Sequence, residues 1–334
     1  MTKLAIVIPN WNGKKSIAKC LDSLRTQSVV SQIIVVENGS VDGSLGLISQ
    51  NYPDIELIIH KKNLGFAAGV NAGIRRAIED SYDFVALFNN DAVADKDWLK
   101  NLVKAMEQDS KIGIVTCKFM DIKAEHLDST GDTYTIWGLP YPRGRGEPVS
   151  DKYDSQTVIF AASGGASLYR ISMLKQIGLF DEDFFAYYED VDISFRAQLA
   201  GWKVAYAPKA VAYHQIGATS SKIKGFTTYQ TMKNLPMLLW KNVPAGLLIS
   251  VVPRFSLAYS SFLFSALGRG QGWPAFKGIA LSARLTPKNF IKRYKIQRSK
   301  KVSTQYIRSI LTADLPPNAT KLRKLRALFT SHKG

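Results

Sequence analysis

The sequence contains few cysteines and histidines, and acidic residues are almost missing from its last third. Among 334 residues there are two cysteines, Cys20 and Cys117, and four histidines. The cysteines are far apart and lack the paired spacing of a zinc site, which excludes a disulfide framework and a zinc ribbon and favours a reducing cytoplasm. The apolar run at residues 4–8 is too short for a signal peptide, so we expect it to form a strand.

The shortage of acids divides the chain into two regions of different charge. Residues 1–221 contain 23 Lys and Arg against 26 Asp and Glu, a net charge of −3. Residues 222–334 contain 21 Lys and Arg against one acid, Asp314, a net charge of +20. This asymmetry predicts two parts with different surroundings, of which the second favours an anionic surface.

Long uncharged apolar runs are also absent. The apolar stretches of residues 235–267 are interrupted by Lys241, Pro253 and Arg254, and no uncharged run reaches the roughly 18 residues of a membrane-spanning helix. We therefore expect amphipathic helices that lie in the interface of an anionic membrane, with basic side chains directed at headgroups. The basic clusters at residues 288–301 and 321–326 would add attraction. Nucleic-acid binding fits the apolar content less well, and a dimer interface, hence a homo-oligomer, stays compatible.

The first 120 residues alternate short β-branched runs with amphipathic helical stretches. Strands are predicted at residues 4–8, 32–37, 55–60 and 84–88, with helices between them. This order is typical of an α/β fold with a parallel, doubly wound sheet, whose ligand crevice lies at the carboxyl ends of the strands. Further strands are predicted at 114–119, 158–162 and 203–206, the last one ending before Pro208, and residues 138–147 are expected to form a mobile loop.

Polar residues follow four of these strands in succession. They are Asn10, Trp11 and Asn12 after Pro9, then Glu37, Asn38 and Ser40, then Asn63 and Gly65, and finally Asn89, Asn90 and Asp91. Turn formation or helix capping explains each loop taken alone. Four such loops at one edge of a sheet indicate a ligand-binding site.

The residue types in these loops suit a phosphorylated ligand and a cation. A carboxylate at the position of Glu37 can accept hydrogen bonds from a ribose or a base. The glycine-rich residues 63–73 suit an anion at a helix N-terminus, although they match neither a dinucleotide fingerprint nor a Walker loop. Asp91 could hold Mg²⁺ or Mn²⁺ bridging the phosphates of a ligand, and capping of the next helix is the alternative.

Two later positions could complete a reaction centre. Glu189 and Asp190 follow the aromatic Tyr188 and precede a predicted helix, so a carboxylate there could act as a general base in a partly apolar pocket. Capping of that helix is the alternative explanation. His214 follows the last predicted strand, and a single histidine is more often structural, although imidazole is a common ligand of transition metals.

Together, these segments resemble family 2 glycosyltransferases of the GT-A fold, especially bacterial rhamnosyltransferase-like enzymes. The resemblance spans about residues 3–220 and includes two glycine-containing segments, at 163–166 and 178–185. It implies a nucleotide-diphospho-sugar transferase fold, with a mostly parallel mixed central sheet and a C-terminal basic helical region. Two features depart from the family pattern: Glu37 stands where Asp is usual, and Asn89 and Asn90 precede Asp91.

The resemblance also implies roles for individual residues. Asp91 and His214 would bind Mn²⁺ or Mg²⁺, and Asp190 would be the catalytic base of an inverting transfer. Trp137, Tyr188 and Glu189 would contact the acceptor. Trp137 and Tyr141 could stack on an acceptor ring, and simple packing of their loop is the alternative. The residues expected to bind the nucleotide-sugar are Pro9, Asn10, Trp11, Asn12, Glu37, Asn38, Ser40, Asn63, Gly65, Asn71, Asn89, Asn90, Gly164 and Gly165.

The expected protein is an enzyme on the inner face of the plasma membrane, peripherally bound to its anionic surface. Residues 1–221 would form the catalytic domain, with a nucleotide-binding half at 1–112 and an acceptor half at 113–221, and residues 222–334 would associate with the membrane. A dTDP- or UDP-sugar is the expected donor, with L-rhamnose suggested by resemblance alone, and a lipid-linked or cell-surface glycan the expected acceptor. No nucleic-acid partner is expected. The alternative is a catalytically degenerate sugar-nucleotide-binding or scaffold protein, suggested by Asn89 and Asn90.

Overall fold

A computed structural model describes residues 2–154, 158–214 and 223–315 of the chain. The chain divides into two compact units. The sheet unit consists of Met1–Asp132 and Pro142–Lys222, and the helical unit consists of Thr133–Tyr141 and Ile223–Gly334. Residues 133–141 thus group with the basic C-terminal region, whereas the sequence placed them in the first domain. The predicted basic cluster at 321–326 lies outside the described residues.

Twelve strands occur in the described part of the chain. They are β1 (Leu4–Asn10), β2 (Gln32–Asn38), β3 (Glu56–His60), β4 (Phe84–Phe88), β5 (Ala92–Ala94), β6 (Ile112–Asp121), β7 (Leu127–Ser129), β8 (Asp132–Tyr134), β9 (Pro140–Pro142), β10 (Val158–Ile159), β11 (Ala166–Arg170) and β12 (Lys203–His214).

Ten of these strands form one mixed sheet in the order β10-β12-β6-β11-β4-β1-β2-β3, with β5 paired to β12 and β7 to β6. Strands β4, β1, β2 and β3 are parallel to one another, and β11 runs antiparallel between β4 and β6. The predicted α/β fold with a mostly parallel sheet is therefore confirmed.

One set of helices packs on this sheet, and a second set forms the helical unit. Those of the sheet unit are α1 (Ile17–Arg25), α2 (Ser44–Asn51), α3 (Gly65–Glu79), α4 (Trp98–Glu107), α5 (Ile171–Ile177) and α6 (Glu189–Leu199), with short 3₁₀ turns at Asp151–Tyr153 and Glu182–Phe184. Those of the helical unit are α7 (Phe226–Asn242), α8 (Ala245–Gly268), α9 (Gly272–Arg298) and α10 (Thr304–Ile310).

The sheet is buried on both faces, as the near-continuous apolar strand sequences require. Along β1, Ile6 and Ile8 belong to one core cluster, and Ala5 and Val7 belong to the cluster on the opposite face. Successive side chains of a strand point to opposite faces, so a strand covered by helices on both sides must be apolar throughout. Burial of each large aliphatic side chain contributes about 1.5 to 3 kcal/mol.

Strand β12 is longer than the sequence predicts. The strand was expected to end before Pro208, but it continues to His214 through a register shift between Ala207 and Val211. Proline cannot donate a ladder hydrogen bond, and a bulge is one of the places where a sheet tolerates it. The continuation brings His214 opposite Ala92 of β5.

The expected mobile loop at residues 138–147 is ordered instead. Strands β8 and β9 pair as a two-stranded sheet. Within the helical unit Trp137 is buried, and a side chain at Gly138 would lie within 3.0 Å of Leu239 and Phe255. Residue 136 donates its N–H to the Thr312 carbonyl at 2.9 Å. Backbone pairing and apolar packing therefore replace the flexibility that the glycines and prolines suggested.

Among the described residues, one helix, Ala245–Gly268, is long and apolar enough to cross a membrane by length and composition. No uncharged run reaches that length, as expected from the sequence, but the helix does, because Pro253 and Arg254 lie inside it. A proline removes one intrahelical hydrogen bond, here to the carbonyl of Ile249. The Arg254 side chain donates to the next carbonyl, that of Ser250, at 2.6 Å.

Candidate active site

The carboxyl ends of β1 and β2 are joined by a buried hydrogen-bond network. The Asn10 amide donates to Glu37 Oε2 at 2.6 Å, and its oxygen accepts from the Asn90 amide at 2.7 Å. The other oxygen of Glu37 accepts the Ser40 backbone N–H at 2.9 Å. Because β1 lies between β2 and β4, the sheet order itself brings these predicted residues together. Glu37 is only 1% exposed, so its carboxylate holds the loops at the sheet edge.

The loops after β1 and β2 also brace each other. The Asn12 backbone N–H donates to Ser40 Oγ at 2.8 Å, and the Asn12 side-chain oxygen accepts the Val41 N–H at 2.9 Å. Asn12 has a φ of 52°, in the left-handed region that asparagine tolerates better than most residues. Pro9 and Trp11 are partly exposed beside this brace. Their predicted contacts with a nucleotide stay a prediction.

A second set of amide contacts positions the start of α3. The Asn38 amide donates to Asn63 Oδ1 at 3.2 Å and to the Gly65 carbonyl at 3.0 Å. Gly65 has a φ of +87°, and a Cβ there would lie 2.5 Å from the Phe185 carbonyl oxygen, so only glycine fits. The side chain of Asn71, further along α3, donates hydrogen bonds to the Phe180 carbonyl and to Glu182, and it accepts one from the Phe180 N–H. It is therefore engaged within the protein.

The predicted metal ligands are brought together by the extended β12. Nε2 of His214 lies 3.2 Å from Asp91 Oδ1. Nδ1 of His214 lies 2.7 Å from Asp128 Oδ2, and Phe119 stacks on the imidazole with centroids 4.8 Å apart. An imidazole whose second nitrogen is held by a carboxylate is the usual setting of a metal-binding histidine. Asp91 and His214 Nε2 therefore fit a divalent cation once the imidazole has released the proton on Nε2.

Neighbouring charges shift the pKa values of His214 and Asp128. Burial alone would lower the pKa of His214, but hydrogen bonds and charges of Asp128 and Asp91 raise it to about 9. Burial likewise opposes the charge on Asp128, yet His214 and Arg145 hold the pKa of this carboxyl below its ordinary value. Sequence reasoning missed Asp128, because nothing in its local sequence distinguishes it and only the fold brings it to His214.

The two asparagines before Asp91 have structural partners. The Asn89 N–H donates to the Gly165 carbonyl at 2.8 Å, and the Asn90 amide donates to Asn10. A Cβ at Gly165 would lie 2.9 Å from the Phe119 ring, so this glycine permits close packing beside the predicted metal ligand His214, on which Phe119 stacks. Among the described residues a separate group, Asp121, Glu125 and His126, brings three possible ligand atoms within 4.8 Å, but it is largely exposed.

Asp190 lies in the first turn of α6 and is held by two backbone donors. Its Oδ2 accepts the Gly164 N–H at 2.9 Å, and its Oδ1 accepts the Val191 N–H at 2.8 Å. A Cβ at Gly164 would lie 3.2 Å from that of Asp190, which explains the need for a small residue there. The neighbouring Glu189 is buried, and Tyr188 is half-buried in a left-handed conformation, with φ 71°.

A buried acid, Asp132, interacts electrostatically with the half-buried Asp190. Burial raises the pKa of both carboxyls, and the charge of Asp190 raises that of Asp132 further. The two backbone N–H groups that stabilise ionised Asp190 offset part of this effect, as does the charge of Arg145. The backbone donors at Asp190 favour its ionised form, the form in which a carboxylate can accept a proton. No local sequence pattern pointed to Asp132.

The predicted acceptor residues are not assembled in the same way. Trp137 is 9% exposed and belongs to the helical unit, as does Tyr141. Stacking of Trp137 on a sugar would require the ring to leave its packing. Among the acceptor candidates, Tyr188 and Glu189 are the ones beside Asp190 in sequence and in α6.

Sequence comparison relates this chain to known glycosyltransferases. Residues 2–231 match the family model described as glycosyltransferase like family 2. An N-acetylglucosaminyl-diphospho-decaprenol L-rhamnosyltransferase of Mycobacterium tuberculosis is 28% identical over 214 residues, covering 58% of this chain and 68% of that protein. A poly-beta-1,6-N-acetyl-D-glucosamine synthase of Staphylococcus aureus is 25% identical over 219 residues, covering 65% of this chain and half of that protein.

Solved structures show the same fold at low identity. The mannosyltransferase PcManGT from Pyrobaculum calidifontis, in complex with GDP-Man and Mn²⁺, aligns with a TM-score of 0.53 and 15% identity over 89% of this chain and 84% of that one. S. aureus TarS 1–349 in complex with UDP aligns with a TM-score of 0.55 and 16% identity over 95% of both chains. The expected GT-A fold is thereby confirmed, and the chain belongs to the family 2 glycosyltransferases.

Proposed function

We propose that this glycosyltransferase is inverting and metal-dependent, and that it moves a sugar from a nucleoside-diphosphate donor to a hydroxyl of a lipid-linked or cell-surface glycan. The observation that carries the proposal is the pairing of a metal-competent couple, Asp91 and His214, with a separate carboxylate, Asp190, in one unit. One group suits the departing diphosphate, and the other suits the attacking hydroxyl.

Each residue has a definable part in such a reaction. A divalent cation bound by Asp91 and His214 would neutralise the negative charge that develops on the departing diphosphate. Asp128 orients the imidazole through Nδ1. Asp190 accepts the acceptor hydroxyl's proton on a carboxylate that the Gly164 and Val191 N–H groups keep in place. Direct attack on the anomeric carbon inverts it without a covalent intermediate.

The donor and acceptor classes follow from the relatives. The mycobacterial relative is named for transfer of L-rhamnose to a diphospho-decaprenol-linked sugar, and the staphylococcal one for synthesis of a polysaccharide. We extend these classes to this chain as a dTDP- or UDP-sugar donor, with dTDP-L-rhamnose as the first to test. A lipid-linked acceptor would require the enzyme to work at a membrane surface.

The helical unit has a surface suited to that location. On α8, Ile249, Leu257 and Phe264 are exposed, and their spacing of eight and seven residues places them on one helix face. Arg254 lies near the middle of this apolar helix, where a charge would cost about 3 kcal/mol in the centre of a bilayer. This cost favours a helix that lies in the interface over one that spans the membrane.

A thermal-shift panel tests the catalytic half of the proposal. The folded protein is heated with dTDP, UDP or GDP, each with and without Mn²⁺, and a ligand near a hundred times its dissociation constant should raise the melting temperature by about 5 to 10 °C. Asp91→Asn should abolish the Mn²⁺-dependent part of the shift. Asp121→Asn, in the exposed cluster with Glu125 and His126, is the matched control and should leave the shift unchanged.

Each alternative has its own outcome in this panel. A shift that does not depend on Mn²⁺ would overturn metal dependence while leaving nucleotide binding in place. No shift with any nucleotide, in folded protein, would favour the degenerate or scaffold role instead. Binding without sugar transfer to any glycan acceptor would lead to the same conclusion.

A further inference from the structure

The loop before α6, residues 178–188, is bent in an unusual way. Three residues other than glycine have a positive φ within four positions: Phe185 at 63°, Tyr187 at 70° and Tyr188 at 71°. The Ala186 N–H donates to the carbonyl two residues before it at 2.7 Å, so Phe185 is the centre of a γ-turn of the strained kind. Such conformations persist only where the surrounding structure fixes them. Contacts from other elements must therefore hold this loop in its shape.

Side chains on one face of α3 provide several of these contacts. The Asn71 amide donates to the Phe180 carbonyl at 2.8 Å, and its oxygen accepts the Phe180 N–H at 3.0 Å. Asn71 also donates to Glu182 Oε1 at 2.9 Å, and Arg75 Nη2 lies 2.7 Å from that same oxygen. Asn71 and Arg75 are four residues apart, so they lie on the same face of the helix.

The first turn of α3 contacts the strained end of the loop. The N–H groups of a first turn have no acceptor within their own helix, and that of Ala67 donates to the Phe185 carbonyl at 3.2 Å. At Gly65 the loop comes so close to α3 that a Cβ would lie 2.5 Å from the same carbonyl oxygen. Ala67 precedes Asn71 by four residues, so both of them contact the loop from one helix face.

Helix α6 holds the other end of the loop through Arg196. Its guanidinium is 6% exposed and pairs with Asp192 at 2.9 Å. It also donates to three successive carbonyls at 2.8 to 3.1 Å, those of Ile177, Gly178 and Leu179. The loop is thus fixed between α3 and α6, and α3 contacts its strained part.

The same loop leads directly into the proposed base. Tyr187 and Tyr188 are half-buried, with ring centroids 6.5 Å apart, and α6 begins at the next residue and carries Asp190 in its first turn. A Cβ at Gly164 would lie 3.2 Å from that of Asp190 and 3.4 Å from the Phe66 ring of α3. The first turn of α3 and Asp190 therefore adjoin the same glycine.

We propose that Asn71 is a positioning residue for the acceptor: through the Phe180 backbone and Glu182 it holds the loop of residues 178–188 in the shape that presents Asp190 to the attacking hydroxyl. The family resemblance instead implies a contact between Asn71 and the nucleotide-sugar. Asn71 is 1% exposed, and both ends of its amide contact the loop. The role rests on the proposed function, because it presupposes an acceptor that approaches Asp190.

The test separates the donor from the acceptor in the kinetics of sugar transfer, with dTDP-L-rhamnose and a polyprenyl-diphosphate-linked sugar as probes. Asn71→Ala removes three hydrogen bonds to the loop, so kcat/KM for the acceptor at saturating donor should fall about 10- to 100-fold. The KM for the donor should change by less than about twofold. The Asn38 contacts at the start of α3 involve Asn63 and Gly65, so the substitution leaves them in place.

A second pair of variants keeps the size of the side chain. Asn71→Asp preserves the acceptor for the Phe180 N–H but places a negative charge beside Glu182, so kcat/KM for the acceptor should fall at least as far as in Asn71→Ala. Adding Glu182→Gln supplies an amide donor to the new carboxylate and should recover part of the loss. A residue that bound the donor would not be rescued by a change at Glu182.

Asn101 provides a matched control in the same unit. Its amide donates to the Lys209 carbonyl at 2.7 Å and joins segments 108 residues apart, much as Asn71 joins segments 109 residues apart. Asn101→Ala should leave the donor and acceptor constants unchanged. Hydrogen exchange of residues 178–188 should become faster in Asn71→Ala and not in Asn101→Ala, and melting temperatures show whether each variant is folded.

Failure of the inference is distinguishable from failure of the proposed function. If Asn71→Ala raises the donor KM and spares the acceptor constants, or lowers both equally, the positioning role is wrong while the proposed transfer stands. An Asp190→Asn variant that keeps full turnover would reject both, because the loop would then have no base to present. If the parent protein transfers no sugar to the lipid-linked acceptor, the proposed function fails and the role of Asn71 fails with it.

Discussion

The two units use their charged residues in opposite ways. Residues 1–221, which carry a net charge of −3, pair cations with acids in buried clusters such as His214 with Asp128 and Arg196 with Asp192. Residues 222–334, with +20 and one acid, have almost no acids to pair with. Ion pairs hold the charged side chains of the first region in fixed positions. The basic residues of the second region together produce a positive electrostatic potential.

Cations of the helical unit use other partners. Arg293 donates to the carbonyls of Trp240 and Val243 at 2.7 Å each, and Lys277 lies 5.0 Å from the centre of the Trp273 ring. Such contacts hold the stem or head of a basic side chain without neutralising it. A large positive potential therefore persists on this unit, as attraction to an anionic surface requires.

The largest expected effect tests the proposed catalytic carboxylate of the sheet unit, Asp190. Asp190→Asn removes the group that accepts the proton but preserves its shape, so kcat for sugar transfer should fall by about 10³-fold. Binding of the nucleotide, measured by thermal shift, should stay close to that of the parent protein. Asp97→Asn, an exposed acid in the same unit, is the control and should retain full activity.

Wild-type turnover in Asp190→Asn would contradict a catalytic role for this carboxylate. The interacting acids Asp132 and Asp190 would then have no catalytic role, and another group would have to accept the proton.

The next effect concerns Asp128, the acid shared by His214 and Arg145. Asp128→Asn keeps the size of the side chain but removes the charge that orients the imidazole, so the Mn²⁺ concentration for half-maximal activity should rise about 10- to 100-fold. A titration of activity with Mn²⁺ measures this change. Asp121→Asn should leave the Mn²⁺ dependence unaltered, and an equal rise in both variants would contradict the assignment.

Local sequence could predict the parts of the site that lie directly after strands. Asn10, Glu37 and Asn90 come together because a parallel sheet brings its carboxyl ends to one edge, which strand periodicity and order are enough to predict. The same reasoning placed Asp190 at the start of a helix. These expectations depend on spacing along the chain, which the sequence shows directly.

The rest of the site depends on contacts between distant segments. Asp128 lies 86 residues from His214, and the two meet because β12 continues past Pro208 and because β7 pairs with β6. A proline ordinarily ends a predicted strand, so the bulge that tolerates it concealed this approach. Asp132 was missed for a similar reason: it lies between the predicted strand 114–119 and the expected loop 138–147, where no element was predicted.

Glu37 offers a smaller effect, on stability. Both of its oxygens accept hydrogen bonds, from Asn10 and from the Ser40 N–H, and an amide can replace only one of these acceptors. Glu37→Gln should therefore lower the free energy of unfolding by about 2 kcal/mol, measured by urea denaturation. Glu56→Gln, which removes a surface ion pair with Arg76, should change it by less than about 1 kcal/mol. Equal losses in the two variants would show that the hydrogen bonds of Glu37 stabilise the fold no more than a surface ion pair does.

The smallest effect concerns the charge field and the apolar face of the helical unit. Ile249 is 87% exposed on α8, and its partial burial in a lipid interface should contribute about 1 kcal/mol, so Ile249→Ser should weaken binding to anionic vesicles about fivefold. Val30, 95% exposed in the sheet unit, provides the control, and Val30→Ser should not change vesicle binding. Cosedimentation at low and high salt measures both.

Because attraction by the basic residues is screened by salt while the apolar contribution is not, high salt should weaken binding of every variant and preserve the ratio between Ile249→Ser and the parent protein. If Ile249→Ser and Val30→Ser bind alike, α8 does not enter the interface, and the difference between the two units reduces to charge alone.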